Sequence, residues 1–223
     1  MLLGLLMVLA AAPADANPPV TVSGVVRRPP AVLAAAPAPS RYRERGRHDS
    51  EQATESAGAG CACNPGLFAV VEITGDNLPA PDLTMRPPTM AQKDRMFVPS
   101  VLAVPVGGSI EFPNQDPFFH NVFSYSKTKK FDLGRYPEGE SASVTFLEPG
   151  IVPVFCEIHY SMRAYIHVVE TPWYDVTAED RRFEILGVRP GEYTIRVWQE
   201  GLPDLVRPLV VEAGADSVWV EIP

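Results

Sequence analysis

Long amphipathic helices are missing from this sequence, and so is any basic stripe. Lys and Arg total 19 against 27 Asp and Glu, a formal charge of −8. Nothing here would neutralise a phosphate backbone, which excludes nucleic acid as a partner and leaves cationic protein surfaces as the more natural ones. Neither a nucleophile elbow nor a phosphate-binding loop occurs. Histidine and cysteine are scarce, four of the first and three of the second. A catalytic centre that needs several histidine ligands beyond a first site therefore has too few to draw on. The apolar run from Leu2 to Ala12 is too short to cross a bilayer.

What is present begins with an export signal. Residues 1–16 read as a signal peptide, with Leu2 to Ala12 as its apolar region and Ala14-Asp15-Ala16 as a small-x-small cleavage site. No Lys or Arg precedes the apolar run, a departure from the usual pattern. The expected location is periplasmic or secreted, with no stable membrane span once the signal is removed. An odd number of cysteines in an exported chain asks for an explanation, and metal ligation supplies one for Cys156, which stands apart from Cys61 and Cys63.

The rest reads as an all-β protein. Val20 to Val26 is a short β-rich run, and residues 27–60 turn into a Pro-, Ala- and Arg-rich linker or disordered loop without apolar periodicity. Strand-like runs bounded by Pro and Gly then follow: Leu67 to Thr74, Phe97 to Val104, Ser109 to Pro113, Asn121 to Ser126, Ser141 to Leu147, Val152 to Cys156 and Ala164 to Val169. Ala142, Val144 and Phe146 share one face, as do Ala164, Ile166 and Val168. After Pro172 come Phe183 to Leu186, Tyr193 to Trp198, Leu205 to Val211 and Val218 to Ile222. Short strands at this spacing predict antiparallel sandwiches.

The chemistry concentrates in Cys156-Glu157-Ile158-His159-Tyr160-Ser161-Met162, a thiolate, an imidazole and a thioether within seven residues of a strand end. A second imidazole, His120, lies 36 residues upstream at a strand start. Two His, one Cys and a weak axial Met are the donor set of a blue-copper electron-transfer site. C-x-x-H alone arises often by chance, and zinc is the rival metal. Met is a poor zinc ligand, however, and one Cys with two His leaves zinc's fourth position unfilled.

Residues 96–169 resemble the plastocyanin–amicyanin branch of the cupredoxins. The resemblance rests on Ile110-Glu111-Phe112-Pro113-Asn114-Gln115-Asp116, on His120-Asn121-Val122-Phe123, and on the segment from Phe155 to Met162. The two-residue gap between His159 and Met162 is the short, amicyanin-like form. The resemblance implies one type 1 copper, with His120, Cys156 and His159 as strong ligands and Met162 as the axial one. It implies that Asn121 ties the two ligand-bearing loops together, a supporting role.

The chain is also similar to methylamine-utilisation-like proteins, in which a cupredoxin is joined to a small sandwich. Residues 183–198 look like the last strands of a carboxypeptidase-regulatory-like domain, and VTVSGVV and LFAVVEITG like its first. The implied architecture is a Greek-key cupredoxin sandwich over residues 80–170. It is inserted in, or joined to, a second small Ig/transthyretin-like sandwich made from residues 20–78 and 171–223.

Other residues read more plainly. Cys61-x-Cys63 is a loop thiol pair or disulfide, with Cu(I) loading as the sharper alternative. His167 faces away from the apolar side of its strand, as a surface or interdomain residue rather than a ligand. Phe118, Phe119 and Tyr160 flank ligand positions, as a docking collar or as core. His48 falls in the linker, so a second copper cluster lacks ligands and an enzyme is not expected. The expectation is an outer-sphere electron carrier with a redox protein partner. The alternative is a copper-binding or storage module, perhaps scaffold-attached, without a redox partner.

Overall fold

A computed structural model describes residues 18–27 and 65–223. The signal segment, most of the linker, His48, Cys61 and Cys63 lie outside the described residues. Those described are all-β apart from one 3-10 turn, Pro65–Leu67. No helix among them is long and apolar enough to cross a membrane.

Strand β1 (Val20–Val26) alternates buried and half-buried along its length, as a strand with one face on a core must. It is flanked by β13 (Arg182–Val188), antiparallel, and β16 (Ser217–Ile222), parallel. A second sheet runs β12 (Tyr174–Val176), β2 (Ala69–Thr74), β14 (Gly191–Gln199), β15 (Leu205–Val211). Val22, Ile73, Ile185, Ile195, Val197 and Ile222 from both sheets close into one apolar cluster. The strands that build it come from the two ends of the described chain.

Between β2 and β12 the chain makes nine more strands. Five form a sheet in the order β5 (Val101–Pro105), β11 (Arg163–Val169), β10 (Gly150–Phe155), β7 (His120–Tyr125), β8 (Lys130–Tyr136). Facing it are the pair β6 (Ser109–Pro113) with β9 (Ser141–Thr145) and the hairpin β3 (Ala91–Lys93) with β4 (Met96–Val98). Phe97, Phe112 and Phe146 are essentially fully buried in the cluster between these layers. Each such side chain contributes about 2–3 kcal/mol of burial. This cluster draws only on residues from Met90 to Val168.

The two cores meet. Val101, Ala103 and Val169, on the outer face of β5 and β11, pack with Val70, Tyr174, Val176 and Trp198 from the other sheet. Polar groups are trapped in the same seam. Tyr165 Oη donates to Glu200 Oε1 at 2.5 Å, and Arg163 lies 3.5 Å from that carboxylate. His167 is 7% exposed and packs edge-on against Trp198, 5.8 Å between ring centroids. The period-two pattern places His167 off its own sheet's core, and Trp198 of the neighbouring sheet then covers it, so it is not a surface residue.

Burial pushes the His167 imidazole down to about 4, with the charge of Arg196 adding to the effect. Between the ordinary value of about 6.5 and about 4, the unfolded chain takes up a proton that the folded chain refuses. Stability is therefore intact above about pH 6.5 and falls as pH drops towards 4, by about 3 kcal/mol in total. Glu72 and Asp175 are raised, chiefly by burial, and act in the opposite sense on acidification. His167→Gln isolates the first effect. Urea unfolding of the apo-protein at pH 7 and pH 4.5 should show a smaller loss in the variant than in the wild type; equal losses would remove His167 as the cause.

Candidate metal centre

β10 and β11 form a hairpin whose last paired residues are Phe155 and Arg163. Cys156 to Met162 are the seven residues that close it. Within this loop Met162 N–H donates to the His159 carbonyl at 3.0 Å, which folds the loop back on itself. β7 lies next to β10, with Phe123 opposite Phe155. That adjacency brings His120, at the start of β7, against Cys156, at the end of β10.

Three donor atoms converge. Cys156 Sγ lies 3.7 Å from His120 Nδ1 and 3.9 Å from His159 Nδ1, and the two Nδ1 atoms are 3.1 Å apart. Among the described residues this is the one group of three potential metal-binding side chains whose ligand atoms come this close. Cys156 and His120 are fully buried, while His159 is half-buried and marks the edge towards solvent. Met162, 1% exposed, belongs to the same apolar cluster as Cys156.

His120 is oriented from behind. Its Nε2 is 2.7 Å from Asp116 Oδ2. A carboxylate there accepts a hydrogen bond from Nε2–H and so keeps the ring proton on that nitrogen. The Nδ1 lone pair is left bare and aimed at the thiol, which is the state a metal ligand requires. Asp116 is itself pinned by the backbone N–H groups of Asp94 and Arg95, at 2.7 and 2.9 Å. Burial raises the Asp116 carboxyl, but these bonds and His120 outweigh it and hold the group below its ordinary value. His159 is held below the usual imidazole range, first by burial, then by His120 and Arg95. That favours its neutral, ligating form.

The supporting amides are tightly committed. Asn121 Oδ1 accepts from Glu157 N–H at 3.1 Å, and its Nδ2 donates to Asp132 Oδ1 and to the Gly134 carbonyl. The side chain thus joins β7, β8 and the Cys156 loop. Asn114 holds the approach to His120 by donating to the carbonyls of Phe118 and Tyr136 and accepting from Asp116 N–H. Below it, Tyr136 Oη donates to the Phe112 carbonyl at 2.8 Å, and burial pushes this phenol up to about 12.

The sequence placed His120, Cys156, His159, Met162 and Asn121 in one region, and the fold gathers them there. It did not single out Asp116, although a carboxylate four residues before His120 was a readable signal. Phe118, which the sequence marks as collar or core beside the ligands, packs its ring 5.2 Å from His120 and 5.4 Å from His159. Phe119 and Tyr160 are more than half exposed beside it, a rim rather than core.

The described chain is thus an all-β protein with a His–Cys–His cluster, buried except at His159, at the end of a sheet. No protein-family model and no curated relative matches the sequence. Among solved structures it is similar to the Cu-containing nitrite reductase (NirK) from Thermus scotoductus SA-01. The identity is 30% over 38% of this chain and 23% of that one, with a TM-score of 0.37. The chain therefore spans less than a quarter of the reductase's length. It is also similar to an amicyanin mutant in the Cu(I) form, at 18% identity over 44% of this chain and 98% of that one, with a TM-score of 0.36. A purple cupredoxin from Nitrosopumilus maritimus shares 24% identity over 34% of this chain and 84% of that one, with a TM-score of 0.31.

Proposed function

We propose that the protein holds one type 1 copper on His120, Cys156 and His159, with Met162 as the weak axial donor, and carries single electrons outside the cytoplasm. The observation that supports this most directly is the convergence of two imidazole Nδ1 atoms on one buried thiol, with Asp116 fixing the tautomer of His120. One thiolate, two imidazoles and a thioether suit copper in both oxidation states, and a bound copper would supply a one-electron couple. The chain's own part is to keep the donors still and dry. Asn121, Asn114 and Asp116 fix both ligand-bearing loops, and Phe118 covers the two imidazoles. Only His159 reaches towards solvent, between Tyr160 and the Phe118–Phe119 pair. With four protein donors committed, the site offers no position to a substrate, which supports a carrier without catalytic turnover. The signal-like segment at residues 1–16 supports a periplasmic or secreted location.

Cu(II) titration of the apo-protein should develop an intense visible band at one equivalent, bleached and restored by a reductant and an oxidant. Stopped-flow exchange with a small cytochrome should be fast. Copper binding without exchange to any mediator would put the storage reading ahead.

Met162→Leu should retain the band and raise the reduction potential, because an extra donor favours the more positive Cu(II). Each tenfold of that preference lost is worth about 59 mV for one electron. An unchanged potential in cyclic voltammetry would remove Met162 from the donor set.

A further inference from the structure

We propose that Arg95 is the anion-receiving point of the docking face, where it takes a carboxylate presented by the redox partner beside its apolar contact surface. This rests on the electron-carrier reading above and adds to it the chemistry the partner must show.

Arg95 sits at the tip of the β3–β4 hairpin with φ at 58°, and its N–H is fixed on Asp116 at 2.9 Å. Its guanidinium lies 5.2 Å from the centre of the Phe118 ring. Phe118 in turn packs against His159, the ligand nearest solvent. The charge is therefore held at the rim by a pinned backbone and an aromatic seat, so little freedom is lost when an anion arrives.

The charge is also unspent. Arg27, Arg135, Arg163, Arg182 and Arg196 each lie within 4 Å of a carboxylate, and the pair nearest the ligand loop, Arg135–Glu157, is closed at 3.5 Å. Arg95 has no such partner among the described residues. Its hairpin neighbours Lys93 and Asp94 are exposed and of opposite sign, so they largely offset each other.

The acidity of the chain lies elsewhere. Residues 171–223 carry ten acidic against five basic side chains, while residues 80–170 carry ten against eight. Residues 80–170 are thus close to balanced in charge, and Arg95 adds a fixed positive group at the rim. Redox encounters bury little area, so one charge at the rim weighs heavily in them.

The test uses the full-length copper protein and two inorganic oxidants of opposite charge, ferricyanide and tris(phenanthroline)cobalt(III), in stopped-flow oxidation at about 0.1 M salt. In Arg95→Gln the rate with the anion should fall about threefold, and the rate with the cation should rise about as much. Arg95→Glu should move each about tenfold. These are the changes expected for one or two unit charges facing a trivalent ion across roughly 8 Å of screened solvent. A shift in the copper potential would move both rates the same way, so their ratio reports charge alone. Arg189→Gln, an equal change in net charge on the other sandwich, should leave the ratio unaltered. The proposal is overturned if the two rates move together, if neither moves, or if Arg189→Gln shifts the ratio as much. A wild-type protein that exchanges with neither oxidant sinks the electron-carrier reading itself.

Discussion

Cys156→Ser should abolish the visible copper band and weaken Cu(II) binding by more than a hundredfold, while leaving the apo-protein folded. Cys156 is the one side chain in the cluster that can supply a soft anionic sulfur to a metal, beside two imidazoles and a thioether. A serine hydroxyl stays protonated at neutral pH and offers a hard oxygen in place of a polarisable sulfur. Loss of a group that merely supports a ligand costs 10–100-fold in metal affinity, so loss of the thiolate itself should exceed that range. The fold has less at stake. Cys156 is fully buried, but the atom replaced faces His120 Nδ1 at 3.7 Å, where a hydroxyl can donate a hydrogen bond. Denaturant unfolding of the apo variant should stay within about 1 kcal/mol of the wild type. An intense band that survives the substitution would reject Cys156 as the thiolate ligand.

The contrast between what the sequence disclosed and what it hid follows from where each signal resides. Three of the four candidate ligands sit within one seven-residue loop, and His120 opens a run of buried strand residues, so residue type and spacing were enough. Strands with one buried face were equally legible: Ser109–Pro113 and Leu205–Val211 begin and end where alternation and Pro/Gly punctuation put them. β8 was not. Lys130–Tyr136 leaves five of its first six residues as a charged or half-exposed alternation at a sheet edge, and only Tyr136 is buried. The three-residue strands β3, β4 and β12 are too short to show a period.

The hairpin between β3 and β4 was hidden for a different reason. Its tip, Asp94-Arg95, takes φ of 54° and 58°, a turn that usually calls for Asn-Gly. Two side chains in the left-handed region cost about 1–2 kcal/mol each. Here both N–H groups are collected by the Asp116 carboxylate, which offsets that strain and orients His120 at once. A local sequence rule cannot show this, because the compensating residue lies more than twenty positions away.

Excision of residues 80–170 should yield a fragment that still binds copper but is less stable than the full chain and self-associates. The apolar cluster under the metal site runs from Met90 to Val168, so the fragment keeps every side chain of its own core, all four candidate ligands, Asn121 and Asp116. What it loses is the seam. Val101, Ala103 and Val169 are at most 6% exposed in the intact chain and are covered by Val70, Tyr174, Val176 and Trp198, all of which excision removes. Uncovering two valines forfeits up to roughly 3 kcal/mol of burial, an upper figure because the unfolded chain hides part of that area too. Tyr165 and Arg163 lose their shared carboxylate, Glu200. The exposed face lies beside strand β5, at the edge of its sheet, where contiguous apolar surface promotes association. Sedimentation should therefore show oligomers, and Val101→Thr with Val169→Thr should return the fragment to monomer with the copper band intact. A fragment as stable and as monomeric as the whole would mean the seam contributes little. A soluble fragment without copper would mean that the second sandwich helps to build the metal site, against an insertion with a core of its own.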